Sequence, residues 1–107
     1  MVRPYQYRSP RLRTRFRVDF FSLGQRYTGE CTDLSPDGLR ARFEPNLASG
    51  IEGQLEMHVF GRVHRVAASV ANLEHEEVGF SFQVKSPEDE QTLRDLVSEV
   101  GGLSWVD

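Results

Sequence analysis

The chain has 107 residues, 38% hydrophobic and 27% charged, with a formal net charge of −3, which fits one domain built around one core. No run approaches the roughly 18–20 apolar residues of a membrane span, the N-terminus lacks the apolar stretch of a secretory signal, and a lone cysteine, Cys31, makes neither an internal disulfide nor a cysteine-based zinc site. The expected setting is therefore a reducing cytoplasm.

The charge is unevenly spread. Residues 1–18 hold six arginines and no acid, while the remainder holds seven basic and sixteen acidic side chains, so a segment of +6 precedes a body of −9. A basic arm on an acidic body points to an anion bound at or near the arm. Twelve of the thirteen basic residues are arginine, whose fork matches phosphates and guanine edges better than an ammonium does.

Residues 1–15, with Pro4, Pro10 and five arginines, read as a flexible basic arm, and residues 16–107 as the folded domain. Period-2 alternation starts at Phe16. Phe16, Val18 and Phe20 mark a first strand ending near Leu23-Gly24, and Arg26 to Thr32 a second, with Tyr27, Gly29 and Cys31 on one face. Asp33 to Gly38 reads as a turn. Leu39, Ala41 and Phe43 mark a third strand, followed by a loop with Pro45, Asn46, Gly50 and Gly53. Leu55, Met57 and Val59 give a fourth, with a turn at Gly61-Arg62, and Val66, Ala68 and Val70 a fifth. The acidic run Glu74-His75-Glu76-Glu77 reads as a solvated hairpin tip, and Val78, Phe80, Phe82 and Val84 as a sixth strand.

The period then changes. Ser86-Pro87-Glu88-Asp89 has the form of a helix start, with Ser as N-cap, Pro in the first turn and acids beside the helix N-terminus. Leu93, Leu96, Val97 and Val100 make one apolar face of a helix over about 87–100, Gly101-Gly102 ends it, and in the short tail beyond it Trp105 reads as a partner contact or as packing under the helix, the latter being the commoner role for an aromatic. Six strands and a terminal helix give an all-β fold, an antiparallel barrel or sandwich with the helix against it; closure into a barrel removes exposed strand edges.

No enzyme motif is present. His58, His64 and His75 lack metal-ligand spacing and read as partly exposed, Cys31 reads as a small buried hydrophobe, and phosphate-loop, dinucleotide and serine-nucleophile signatures are absent, so no catalytic residue, metal or cofactor is assigned. Two motifs remain. Arg11-Leu-Arg-Thr-Arg15 is an R-x-x-x-R spacing, of which about one is expected by chance in so arginine-rich a chain, and Arg13 and Arg17 make an overlapping one. Asp33-Leu-Ser35-Pro-Asp-Gly38, a D-x-S-x-x-G run, is expected by chance far less than once, although Asp, Ser and Gly also build turns for local reasons.

In this order, the two motifs make the chain resemble the PilZ domain, a bacterial receptor for cyclic di-GMP. Gly38-Leu39-Arg40-Ala41, Val78-Gly79-Phe80-Ser81-Phe82 and the terminal helix extend the resemblance over about residues 8–100. It implies a six-stranded antiparallel split barrel with a C-terminal helix, and a stand-alone receptor and adaptor, not an enzyme, that orders its arm on cyclic di-GMP and signals to a partner protein. By the same resemblance, Arg11 and Arg15 take phosphates and guanine Hoogsteen edges, Asp33 accepts from the guanine N1–H and N2–H, Ser35 contacts ligand or holds the turn, Gly38 allows close backbone approach, and Arg13 and Gly79 lie at the margin. The register Arg11/Arg15 is preferred to Arg13/Arg17 because Phe16 then opens the strand directly after the second arginine. Pro10, before the first motif arginine, leaves the ligand stoichiometry open. The rivals are a PilZ-like protein adaptor that binds no nucleotide, and a small nucleic-acid-binding barrel, which the acidic body disfavours.

Overall fold

The computed structural model describes residues 11–43, 47–74 and 77–101. The expectations for residues 1–10 of the arm, Pro45, Asn46, His75 and Trp105 with its tail fall outside them.

The elements run β1 (Leu12–Ser22), β2 (Gln25–Ser35), β3 (Gly38–Phe43), β4 (Glu52–Val59), β5 (Arg62–Glu74), β6 (Glu77–Gln83) and α1 (Pro87–Gly101). All neighbouring strands are antiparallel, and they close into a barrel in the order β1-β2-β3-β6-β5-β4. Closure decides between the barrel and sandwich readings, and it pairs the backbone groups that an open edge would expose.

The alternating apolar residues point inward. Val18, Phe20, Cys31, Leu34, Leu39, Ala41, Leu55, Met57, Val66, Val70 and Phe80 belong to one buried core. Phe80 lies 4.9 Å from Phe20 and 5.7 Å from Phe43, centroid to centroid, at tilted angles, the arrangement that aromatic quadrupoles favour. Two hairpins turn through Leu23-Gly24 and Phe60-Gly61, each with both residues at positive φ, the backbone that two-residue hairpin loops demand.

In α1 the Ser86 hydroxyl accepts the Asp89 N–H at 3.2 Å, and the Asp89 carboxylate accepts the Lys85 N–H at 2.9 Å, so the first turn is capped from both directions. Leu93 and Leu96 are buried, with Val97 and Val100 beside them, and the helix packs on β5, β1 and β4.

Four expectations change. β6 ends at Gln83, so Val84, read as the last residue of the sixth strand, lies beyond it and is half exposed. β1 begins at Leu12, so residues 12–15, assigned to the flexible arm, are strand; Leu12, Thr14 and Phe16 are half-buried while Arg11, Arg13, Arg15 and Arg17 are exposed, and this alternation continues that of the apolar strand. The turn read over Asp33–Gly38 is confined to Pro36-Asp37, because Asp33 and Ser35 still pair within the sheet. His64 is not partly exposed but 7% exposed, and its Nε2 lies 3.1 Å from Glu99 on α1; a carboxylate from a distant segment, which periodicity does not show, makes its burial affordable.

Candidate functional site

The alternation that sends Phe16 and Val18 toward the core places Arg13, Arg15 and Arg17 on the outer face of β1, with Arg11 immediately before the strand. The register then sets a line of residues across the barrel wall. Arg13 pairs with Asp33 on β2, Asp33 with Arg40 on β3, Arg40 with Gly79 on β6, and Gly79 with Asn72 on β5. Register shifts lie beside this row at Arg13/Phe16, Cys31/Asp33 and Val70/Asn72. Such shifts re-aim side chains: Cys31 faces the core, whereas Asp33, two residues on, faces out beside buried Leu34.

Two surface depressions meet on the row. One of about 210 Å³ is lined by Arg11, Ser35, Gly38, Arg40, Asn72 and Gly79 among others. The second, of about 360 Å³, is lined by Arg13, Arg15, Asp33, Arg40, Arg42 and Glu77 among others. Every residue that the resemblance assigns to the ligand lines one or the other, and Arg40 lines both. Arg17 is directed elsewhere, to Asp19 at 3.0 Å.

Three arginines stand against carboxylates of neighbouring strands: Arg11 Nε is 3.5 Å from Asp33, Arg15 Nε 3.2 Å from Glu30, and Arg40 NH1 3.9 Å from Glu77. Arg13 and Arg42 have no ion pair among the described residues. Exposed pairs of this kind are worth roughly 0–1 kcal/mol, so an incoming anion exchanges for a carboxylate at little cost. Five guanidinium groups against four carboxylates, those of Glu30, Asp33, Asp37 and Glu77, leave the patch with a small basic excess on an otherwise acidic barrel.

The motif glycine and serine act within the fold. The Ser35 hydroxyl donates to the Gly38 carbonyl at 3.3 Å and accepts the Asp37 N–H at 3.3 Å, so it holds the β2–β3 turn. A Cβ on Gly38 would overlap the Phe80 carbonyl oxygen, so glycine is required there by the approach of β6. At Gly79 the neighbour is the Asn72 carboxamide, which lies over the bare Cα.

Sequence reasoning missed Arg40, Arg42 and Asn72 as site residues. Arg40 and Arg42 alternate with inward Leu39, Ala41 and Phe43 immediately after the motif glycine, a signal that was available. Asn72 has the parity of inward Val66, Ala68 and Val70, and only the register shift after Val70 turns it outward.

A second polar cluster lies on the outer face of β1, β2 and β4. Asp19 is 1% exposed, and its carboxylate receives Arg17 Nε and NH2 at 3.2 and 3.0 Å, the Thr28 hydroxyl at 2.8 Å, Arg26 at 3.4 Å and His58 Nε2 at 3.3 Å. Burial alone would raise its pKa; hydrogen bonds from Arg17 and Thr28, with the charges of Arg17 and Arg26, outweigh that and hold the carboxyl below its ordinary value. Asp19, Glu56 and His58 bring ligand atoms within 4.8 Å of one another, but two guanidinium groups already balance Asp19 and Arg65 takes Glu56, so the group reads as an ion-pair network. Cys31 is buried, with burial the main cause that pushes its thiol up to about 12, and so is unsuited to nucleophilic work at neutral pH.

The family model described as PilZ domain matches residues 6–99. A comparison with curated proteins finds no match. Among solved structures, the PilZ domain of YcgR from Escherichia coli with c-di-GMP superposes with a TM-score of 0.78 at 17% identity, over 92% of this chain and 94% of that one. The PilZ domain of CeSA from a cellulose-synthesizing bacterium gives 0.74 at 18% identity, over 89% and 98%. The inhibitor of motility MotI of Bacillus subtilis gives 0.65 at 14% identity, over 85% of this chain and 48% of that one.

Proposed function

The chain belongs to the PilZ domain family, and on that premise we propose that it is a receptor that binds cyclic di-GMP on the row Arg13-Asp33-Arg40-Gly79-Asn72 and reports occupancy to a partner protein. The observation that carries this reading is the row itself: one wall of the barrel presents Asp33 between flanking arginines, with Arg11 and Arg15 beside it. Cyclic di-GMP has two phosphates and two guanines. A carboxylate accepts two donors at once and suits the guanine N1–H and N2–H; an arginine suits a phosphate or the guanine O6 and N7. In this reading Arg11 leaves Asp33, and Arg15 leaves Glu30, for ligand oxygens. Arg11 is the last residue before β1, so the exchange reaches the segment preceding the strand, and a partner protein reads that surface.

Calorimetric titration with cyclic di-GMP tests the reading, with Arg15→Ala and Asp33→Ala in parallel. Removing one charge-assisted contact of about 1.5–3 kcal/mol weakens binding roughly 10- to 100-fold. Arg15 is 81% exposed, so the thermal midpoint of free Arg15→Ala stays close to that of wild type. Wild-type protein silent by calorimetry and by a second equilibrium probe overturns the reading in favour of an adaptor that binds no nucleotide.

A further inference from the structure

Two of the carboxylates among the site arginines, Glu30 and Glu77, belong to neither sequence motif and have no part in reading guanine. On the cyclic di-GMP reading, on which this rests, we propose that they are internal counter-anions: in the free receptor they hold Arg15 and Arg40 where a phosphate would, and so raise the ligand concentration at which the site fills.

The sheet register sets both acids in place. Glu30 on β2 pairs with Arg17 on β1 and with Arg42 on β3, and Arg42 pairs in turn with Glu77 on β6. This row of alternating charge lies alongside the row that holds Asp33, and both acids line the depression shared by Arg13, Arg15, Arg40 and Arg42. Glu30 stands 3.2 Å from Arg15 Nε and Glu77 3.9 Å from Arg40 NH1. Arg17 is turned away from Glu30, to Asp19 at 3.0 Å. A guanidinium that faces a carboxylate has to turn from it to serve a phosphate, so each acid competes with the ligand for its arginine. The competition is mild, because both pairs are open to water and such pairs are weak. Arg42 makes the exchange easier still. It stands between Glu30 and Glu77 in the register and has no ion pair among the described residues, so a cation remains beside each acid after its first partner leaves.

Asp19 shows what an acid that serves the fold looks like in this barrel. It is buried and receives Arg17, Arg26, Thr28 and His58 together. Glu30 and Glu77 are partly exposed, and among the described residues each has one arginine as its ion-pair partner. Their charge therefore bears little on folding and falls chiefly on the two arginines that the ligand needs.

Calorimetric titration of wild type, Glu30→Gln, Glu77→Gln and the double variant with cyclic di-GMP is the test. Gln keeps the shape of each acid and removes its charge. Each single variant is expected to bind about threefold more tightly and the double variant about tenfold, since the two acids act on different arginines. Glu88→Gln removes the same charge from the exposed first turn of α1 and is expected to leave affinity within about 1.5-fold. Mutant cycles show whether each acid acts through its arginine. The gain from Glu30→Gln in an Arg15→Ala background, and from Glu77→Gln in an Arg40→Ala background, is expected to shrink below about 1.5-fold. Equal or weaker binding by a Gln variant overturns the role of that acid. A gain matched by Glu88→Gln, or one undiminished once the partner arginine is gone, overturns the counter-anion account as a whole. In all these cases wild type still binds, so the receptor reading stands. A wild type silent to cyclic di-GMP overturns the receptor reading itself, and the counter-anion role with it.

Discussion

Replacing Asp19 by Asn removes one charge from the most buried acid of the barrel and leaves its shape intact. The Asn carbonyl still accepts from Thr28, now at 2.8 Å, so the loss is the charge-assisted part of the contacts to Arg17, Arg26 and His58. The arginine partners are about half exposed, at 48% and 55%, which discounts each pair to about 0.5–1 kcal/mol. The sum is about 1–2 kcal/mol at pH 7, or a thermal midpoint lower by about 5–10 °C. The pH dependence separates this account from a generic packing defect. The folded-state pKa of Asp19 is lowered, so its stabilisation is complete above the unfolded value near 3.9 and is lost as pH falls through the lower folded value. Urea unfolding of wild type and Asp19→Asn at several pH values is the assay. The gap is expected to be present at pH 7 and to close as the pH falls below about 4. A gap that persists undiminished at the acid end, or no gap at pH 7, refutes the electrostatic reasoning. Affinity for cyclic di-GMP is expected to stay within about twofold, because the cluster lies on β1, β2 and β4, away from the row.

Gly38→Ala drives a Cβ into the Phe80 carbonyl and is expected to cost about 1–3 kcal/mol in urea unfolding, because β3 must move off β6; undiminished stability contradicts the close-approach account of the motif glycine. Arg40→Ala, with Glu77 3.9 Å away and both side chains partly exposed, is expected to change stability by no more than about 0.5 kcal/mol while weakening cyclic di-GMP binding about tenfold; equal affinity removes Arg40 from the site. Cys31, fully buried with its thiol pushed up to about 12, is expected to resist thiol reagents at pH 8 in the native protein and to react after unfolding. Rapid native labelling indicates that the barrel opens far more readily than its packing implies.

The fold was legible because its strands carry their burial in the simplest pattern. Phe16-Val18-Phe20, Leu39-Ala41-Phe43 and Val78-Phe80-Phe82 alternate without interruption, and each lies in the strand expected for it with the apolar set facing the core. The terminal helix was equally plain, since the Ser86 cap and the Leu93-Leu96-Val97-Val100 face are both local signals. Barrel closure was not local. It depends on β1 reaching β4 as well as β2, and period-2 alternation is the same in a sandwich.

The site shows where alternation stops being a guide. Asp33 shares parity with Cys31, and Asn72 with Val70, yet one member of each pair faces the core and the other lines the surface row. One extra residue on a strand is enough to produce this, because a single step exchanges the two faces. The motif spacings record the outcome without showing its cause: D-x-S-x-x-G places Asp33 outward only because the register shifts between Cys31 and Asp33. The same step explains how arginines from β1 and β3 come to flank one carboxylate, although Arg13 and Arg40 lie 27 positions apart in the chain. The irregularities in the sheet thus gather the polar residues onto one wall while the regular stretches between them keep the core apolar.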